Sequence, residues 1–266
     1  MRNVRLTIEY DGGRFSGWQS QARPGVRTVQ EELEAVLSRV LRERVLLTVA
    51  GRTDTGVHAE GQVANFPTAS DVPLSRLARA LAGLLPADIA VRGLAVVPPS
   101  FHARHSAVQR RYAYRLLDAP SATWAGRAWW PWTRFDPVAM TAAFAPLLGE
   151  HDFRSFAGKS PETAPGAHGR CRVRRLEFTA WERGVIFHVH ANRFLYHMVR
   201  NLVGTAVAIA RDRIPASSLA DVLAAHDRRR AGPTAPPDGL TLAGVVYPAH
   251  CAPIGEVVDG WGREVA

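Results

Sequence analysis

The strongest constraint on how this chain folds is one order of elements that occurs twice along it. Val4, Leu6 and Ile8 alternate with Arg5, Thr7 and Glu9, the period of a strand with one buried face. A helix follows: Thr28 stands three residues before Glu31, the spacing of a capping box, and Leu33, Val36, Leu37, Val40 and Leu41 recur on one helical face. Strands over 45–50 and 60–66, a helix over 73–84 opened by Pro73, and a strand over 89–97 complete a β-α-β-β-α-β order. The second half gives the same order, with a strand at 108–117, a helix at 137–148, strands at 173–181 and 184–191, a long helix at 194–211 and a strand at 242–247; an extra helix near 216–226 precedes the last strand. Two consecutive split βαβ units predict an α+β chain of two ferredoxin-like halves, each an antiparallel sheet backed by helices on one face, with the natural cleft between the sheets. The expected division is 1–104 and 105–249, after the Pro98-Pro99-Ser100 break, with 250–266 as a flexible tail.

With 266 residues, 47% of them hydrophobic, two such halves can each bury a core. The formal charge of +9 implies an anionic partner. All 33 basic residues except Lys159 are arginine. That preference follows the codon bias of a GC-rich genome, whereas the excess of charge itself points to function; arginine forks suit phosphates and their planes stack on bases. Cys171 and Cys251 are too few and too far apart for a disulfide framework or a Cys-based zinc site. No Gly-rich phosphate cradle, His/Cys metal spacing or Ser-His-Asp arrangement occurs either, so neither metal nor nucleotide cofactor is called for. The first residues lead straight into a strand without an apolar signal core, and no apolar run is long enough to span a bilayer, so a cytoplasmic protein is expected.

The stretch Gly51-Arg52-Thr53-Asp54-Thr55-Gly56-Val57-His58-Ala59 crowds a cation, an anion and two hydroxyls between glycines. Glycine lets the backbone take φ > 0 or pass close to a ligand, so a turn can present Arg52 and Asp54; the same residue types also make an ordinary turn with a surface ion pair. Further blocks stand in order around it: Tyr10-Asp11-Gly12 with Gly17-Trp18-Gln19, Thr28-Val29-Gln30 with Glu32-Leu33-Glu34, and Gly61-Gln62-Val63. Beyond them come Phe101-His102-Ala103-Arg104, Arg110-Arg111-Tyr112, Glu150-His151-Asp152-Phe153, Phe194-Leu195 with His197-Met198-Val199-Arg200-Asn201, and Gly232-Pro233-Thr234-Ala235-Pro236. From about residue 4 to 248 the chain thus resembles the tRNA pseudouridine synthase A family, whose signature loop reads Gly-Arg-Thr-Asp-Ala-Gly-Val-His-Ala. Thr55 and Tyr196 depart from the family's usual alanine and histidine without removing a reagent.

The resemblance implies an isomerase that converts uridine to pseudouridine at positions 38, 39 and 40 of the tRNA anticodon stem-loop, a basic cleft between the two halves, and a homodimer that embraces one tRNA. It puts the catalytic aspartate at Asp54, the arginine lying against it at Arg200, and the tyrosine that stacks on the target uracil at Tyr112. Arg52 matches the arginine that helps hold the nucleotide out of its helix, while His58, His102 and Arg104 match further loop and RNA-side positions. The chemistry breaks a C–N bond and makes a C–C bond without net oxidation, and attack by an ionised carboxylate at C6 of the base or C1′ of the ribose serves it. Burial alone would protonate that carboxylate, so an opposing cation is required. On helical spacing alone, His197, Arg200, Asn201 and Gly204 form a polar stripe that reads as a solvent face; the resemblance turns it toward the cleft.

Arg110, Arg111 and Arg172 are expected to meet phosphates in a recognition led by shape. Of two irregular stretches, 118–136 with Trp124, Trp129, Trp130 and Trp132 reads as packing on its own half, and 154–172 with Arg154, Lys159, His168, Arg170 and Arg172 as RNA contact ordered on binding. A non-catalytic tRNA-binding protein or RNA chaperone on the same scaffold is the rival class. A glycosidase would need a second, suitably spaced acid, and none stands out.

Overall fold

The alternating start of the chain becomes β1 (Arg2–Tyr10), in which Val4, Leu6 and Ile8 are fully buried. In the computed structural model, which describes residues 1–21, 25–159 and 169–265, β1 is central to the first of two units, Met1–Val108 joined by Leu242–Ala266. Thr28 caps α1 (Val29–Leu41) by accepting the Glu31 amide at 3.3 Å, and the helix stops at Arg42, whose backbone is left-handed at φ 55°. β2 (Thr48–Val49) is shorter than its apolar run suggested; β3 (His58–Thr68), α2 (Leu74–Leu84) and β4 (Ile89–Val97) follow. β1 pairs antiparallel with β3 and β4, and β2 with β3, so these strands lie in the order β4-β1-β3-β2. Leu33, Leu37 and Leu41 of α1 and Leu74, Leu77 and Leu81 of α2 turn inward at helical spacing.

The second unit is Gln109–Thr241. It runs through β5 (Gln109–Leu117), α3 (Pro137–Phe144), β6 (Gly149–Asp152), β7 (Arg170–Trp181), β8 (Gly184–Ala191), α4 (Met198–Ala210) and α5 (Leu219–Ala224). Its strands pair antiparallel in the order β5-β8-β7-β6. Phe144 of α3 meets Phe178 and Phe187 of the sheet at 5.3 and 6.0 Å between ring centres, and all three are buried. α3 ends at Phe144, short of the expected 148, where a tighter turn over Ala145–Leu147 carries Pro146. α4 begins four residues later than its apolar pattern suggested, because His197 has a left-handed backbone at φ 58° and ends the run of 194–197 outside the helix.

The expected boundary and tail need correction. β9 (Leu240–Val246) carries the chain out of the second unit, and from Leu242 onward it belongs to the first. Val245 and Tyr247 pack on a buried cluster of Ala50, Val63, Ala95, Val97, Phe101, Ala103 and Cys251, and the Tyr247 hydroxyl donates to Ala103 O at 2.8 Å. Residues 250–265 are no loose appendage: β10 (Val257–Asp259) pairs antiparallel with β4, setting Val257 opposite Ala95 and Asp259 opposite Gly93. Just before it, the Glu256 carboxylate accepts the amides of Leu74 and Ser75 at 3.0 and 3.1 Å. Pro73 offers no side-chain cap to α2, so Glu256 supplies from far along the chain the anion that the first turn of this helix wants. Replacing Glu256 with Ala is expected to lower the unfolding free energy by roughly 1 kcal/mol, the usual cost of a lost cap, read from urea melts.

Candidate active site

In the first unit the stretch 51–59 leads into the start of β3 and lies against the backbone of 12–18. A β carbon at Gly12 would fall 2.0 Å from Val57 O, and one at Gly17, whose φ is +91°, would fall 2.8 Å from Thr53 O. Only glycine permits this approach. Across it, Trp18 N donates to Thr53 O at 3.1 Å and Gly56 N to Phe15 O at 3.4 Å, while Val57 N closes a turn on Asp54 O at 3.2 Å. The backbone is therefore fixed on both sides of Asp54, whose side chain is half-buried; Arg52, two residues before it, is exposed.

Behind the loop sits a buried polar set. Tyr10 Oη and Thr53 Oγ1 share a hydrogen bond of 2.7 Å, and Gln62 Nε2 donates to Gly51 O at 2.7 Å and to Tyr10 Oη at 3.4 Å. Burial pushes the Tyr10 hydroxyl up to about 12, so it stays a neutral donor and acceptor. His58 is buried, and its Nδ1 lies 3.1 Å from Gly12 N and 3.2 Å from Asp11 Oδ1. That nitrogen serves the amide as acceptor or the carboxylate as donor, not both, and either way it braces the 11–13 turn. His102 plays a comparable part in its own loop: its Nδ1 accepts the amides of Arg104 and His105 at 3.2 and 3.3 Å, and Arg104 is exposed.

In the second unit Tyr112, half-buried on β5, meets Phe194 edge-on at 5.0 Å. Its neighbour Tyr114 is fully buried and donates to Pro236 O at 2.8 Å, with its hydroxyl pushed well up by burial, as expected of a core residue. Arg200 occupies the first turn of α4, where its Nε donates to Ala235 O at 2.7 Å. The polar stripe on this helix does not face solvent: Asn201 is completely buried, and a β carbon at Gly204 would fall 1.6 Å from Pro233 O. The segment 228–236 covers it. Arg228 Nη2 donates to Asn201 Oδ1 at 2.8 Å; helical spacing gives no sign of this contact, and the one sequence signal for it is the Gly232-Pro233-Thr234-Ala235-Pro236 block beside a helix that needs a cover.

The arginines expected on the phosphate track differ in their settings. Arg111 is exposed on β5, in register with His190, which stands opposite Arg175 on the other side. Arg110 donates to Asn192 O at 2.7 Å, and Arg172 pairs with Glu150 at 2.7 Å, so part of its charge is already answered. Of the tryptophans, Trp124 packs edge-on against Trp181 at 4.9 Å and Trp129 against Tyr114 at 6.4 Å, but Trp132 is 73% exposed and stacks on nearby Trp130 at 3.7 Å. Arg154 is paired with Asp152 at 2.8 Å; His168 and the rest of 160–168 lie outside the described residues. Among the described residues no group of three His, Cys, Asp or Glu side chains forms a metal site, and no helix is long and apolar enough to cross a membrane.

Residues 6–106 and 143–248 match the family model for tRNA pseudouridine synthase. Relatives with the name tRNA pseudouridine synthase A include one from Burkholderia lata, 46% identical over 94% of this chain and 91% of its own, and one from Chlorobium luteolum, 45% identical over 93% and 96%. Another, from Burkholderia multivorans, is 45% identical over 94% and 91%.

Burial, then the Arg175 and Arg111 charges, pushes His190 down to about 4 from its ordinary 6.5. The folded protein then holds fewer protons than the unfolded chain below 6.5, so this group's share of stability is present above that pH and is lost as pH falls toward 4. In urea melts across this range, His190→Gln is expected to flatten the acid limb of the stability curve.

Proposed function

Because this chain belongs to the tRNA pseudouridine synthase family, whose reaction is pseudouridine formation in tRNA, we propose that it acts on uridines 38, 39 and 40 of the anticodon stem-loop, with Asp54 as the reacting carboxylate. The observation that carries this reading is the loop around Asp54, pinned by backbone contacts to Phe15 and Trp18 on one side and closed into a turn on the other. A group fixed before substrate arrives pays no ordering cost at the moment of reaction.

The balance of the reaction is internal. The C1′–N1 bond breaks, the uracil turns over, C1′–C5 forms, N1 gains a proton and C5 gives up its own. The Asp54 carboxylate adds to an electrophilic carbon of the nucleotide and is released when the new bond is complete. Arg200 is the cation proposed to keep it ionised. Tyr112, its ring edge set by Phe194, is proposed to stack on the extruded uracil, and exposed Arg52 to fill the space the nucleotide leaves. His102 and Arg104 are assigned to the RNA side of the site, and buried His58 supports the substrate-binding loop by bracing the 11–13 turn; Arg110, Arg111 and Arg172 are assigned to phosphates. A cytoplasmic homodimer embracing one tRNA belongs to the same proposal. So does the ferredoxin-like character of the halves, supported by the strand order β4-β1-β3-β2 in the first.

A tRNA transcript tritiated at uracil C5 tests the reaction. Wild-type protein is expected to release the label to water and Asp54→Asn to release none; no release from either, with tRNA bound tightly, would favour the non-catalytic binding protein. In salt titrations of tRNA binding, Arg111→Ala is expected to lower the slope of log K against log salt by about 1. Arg172→Ala is expected to lower it less, because Glu150 already meets that charge.

A further inference from the structure

Residues 228–236 contribute no reagent to this reaction, yet their contacts converge on the turn of α4 that carries Arg200. Ala235 makes a reciprocal pair with it: Arg200 Nε donates to Ala235 O at 2.7 Å, and Ala235 N donates to Arg200 O at 3.1 Å. One residue along the helix, the buried Asn201 Oδ1 accepts Thr234 Oγ1 at 2.6 Å and Arg228 Nη2 at 2.8 Å, while its Nδ2 donates to Phe156 O at 2.7 Å. Thr234 Oγ1 in turn accepts the same Arg228 group at 3.2 Å. Gly232 N donates to Thr205 Oγ1 at 2.9 Å, and Tyr114 Oη ties down Pro236 O at 2.8 Å. A β carbon at Gly232 would fall 2.4 Å from Gly204 O, so the two backbones run in direct contact.

We infer that residues 228–236 are a strap that orients Arg200 for reaction, and that Thr234 is a positioning residue acting through it. The inference rests on the reading that Arg200 serves Asp54. Holding Nε fixes the plane of the guanidinium and so the direction in which its two terminal amino groups point, the property a carboxylate partner depends on. The strap is held largely by polar contacts: Ala235 and Gly232 are buried, but Pro233 and Thr234 are exposed. It can therefore be loosened without opening a core.

The test is Thr234→Val, which keeps the shape of the side chain and removes its hydroxyl. Its single-turnover rate on tRNA is expected to fall roughly ten- to a hundredfold, the scale of a small misplacement of a catalytic group, with tRNA affinity unchanged. Thr234→Ser is expected to restore most of the rate. In the Arg200→Ala background the same valine substitution is expected to add nothing, as it must if it acts only through that arginine. A wild-type rate in Thr234→Val, or an effect that multiplies undiminished with that of Arg200→Ala, would overturn the strap. A wild-type rate in Arg200→Ala would overturn the reading of Arg200 itself, and the strap with it; Asp54→Asn reports on the reaction separately.

Discussion

The close approach of two backbone segments, made possible by Gly12 and Gly17, is the contact on which the first unit's site depends. With any side chain at position 12 the β carbon would meet Val57 O at 2.0 Å, and the 53–57 turn would have to move. Asp54 would move with it, since its neighbours Thr53 and Gly56 are the residues held across this seam, by Trp18 N and Phe15 O. Precision is obtained here by removing side chains rather than by adding bonds. Backbone against backbone leaves few rotamers to choose among, so the point from which the Asp54 side chain leaves the backbone is set by peptide geometry.

Buried and half-buried polar groups lie beneath the Asp54 loop in one unit and around the first turn of α4 in the other. In the first, Tyr10, Thr53 and Gln62 sit beneath the loop; in the second, Tyr114, Asn201, Thr205 and Arg228 sit around the turn carrying Arg200. Such networks are costly to leave half made, which is why they specify a single arrangement. Burial keeps Tyr10 and Tyr114 uncharged through the neutral range, so neither adds an anion to its network.

Local patterns in the sequence translate directly into structure. The alternation of Val4, Leu6 and Ile8, the Thr28 cap and the inward leucines of α1 and α2 each depend on residues a few positions apart, and the sequence contains that information in full. What was not legible depends on distant partners. Asn201 and Gly204 carry the polarity of a solvent face, but the segment 228–236 covers them, and nothing in a helical wheel announces a cover some thirty residues away. Glu256 reads as an acid in a tail until the uncapped α2 is placed beside it. The left-handed His197 shortens α4 against its apolar pattern, and Glu150 answers Arg172 across a strand, β6, too short to be seen in the sequence. For the site, Asp54, Arg200 and Tyr112 came from resemblance; spacing alone left each of them an innocent alternative.

The second unit is enclosed within the chain of the first, which resumes only at Leu242. A ribosome therefore finishes the enzyme's two halves in an order opposite to the one in which it starts them. The sheet that carries the Asp54 loop is begun first and waits for β9 and for β10, the strand that covers the outer edge of β4, until more than a hundred further residues have been made. A nascent product released early would show an unpaired β4 edge, the kind of surface that aggregates or draws chaperones and proteases. Pairing β4 with a strand from so far along the sequence thus ties the stability of the first unit to residues made only after the whole of the second.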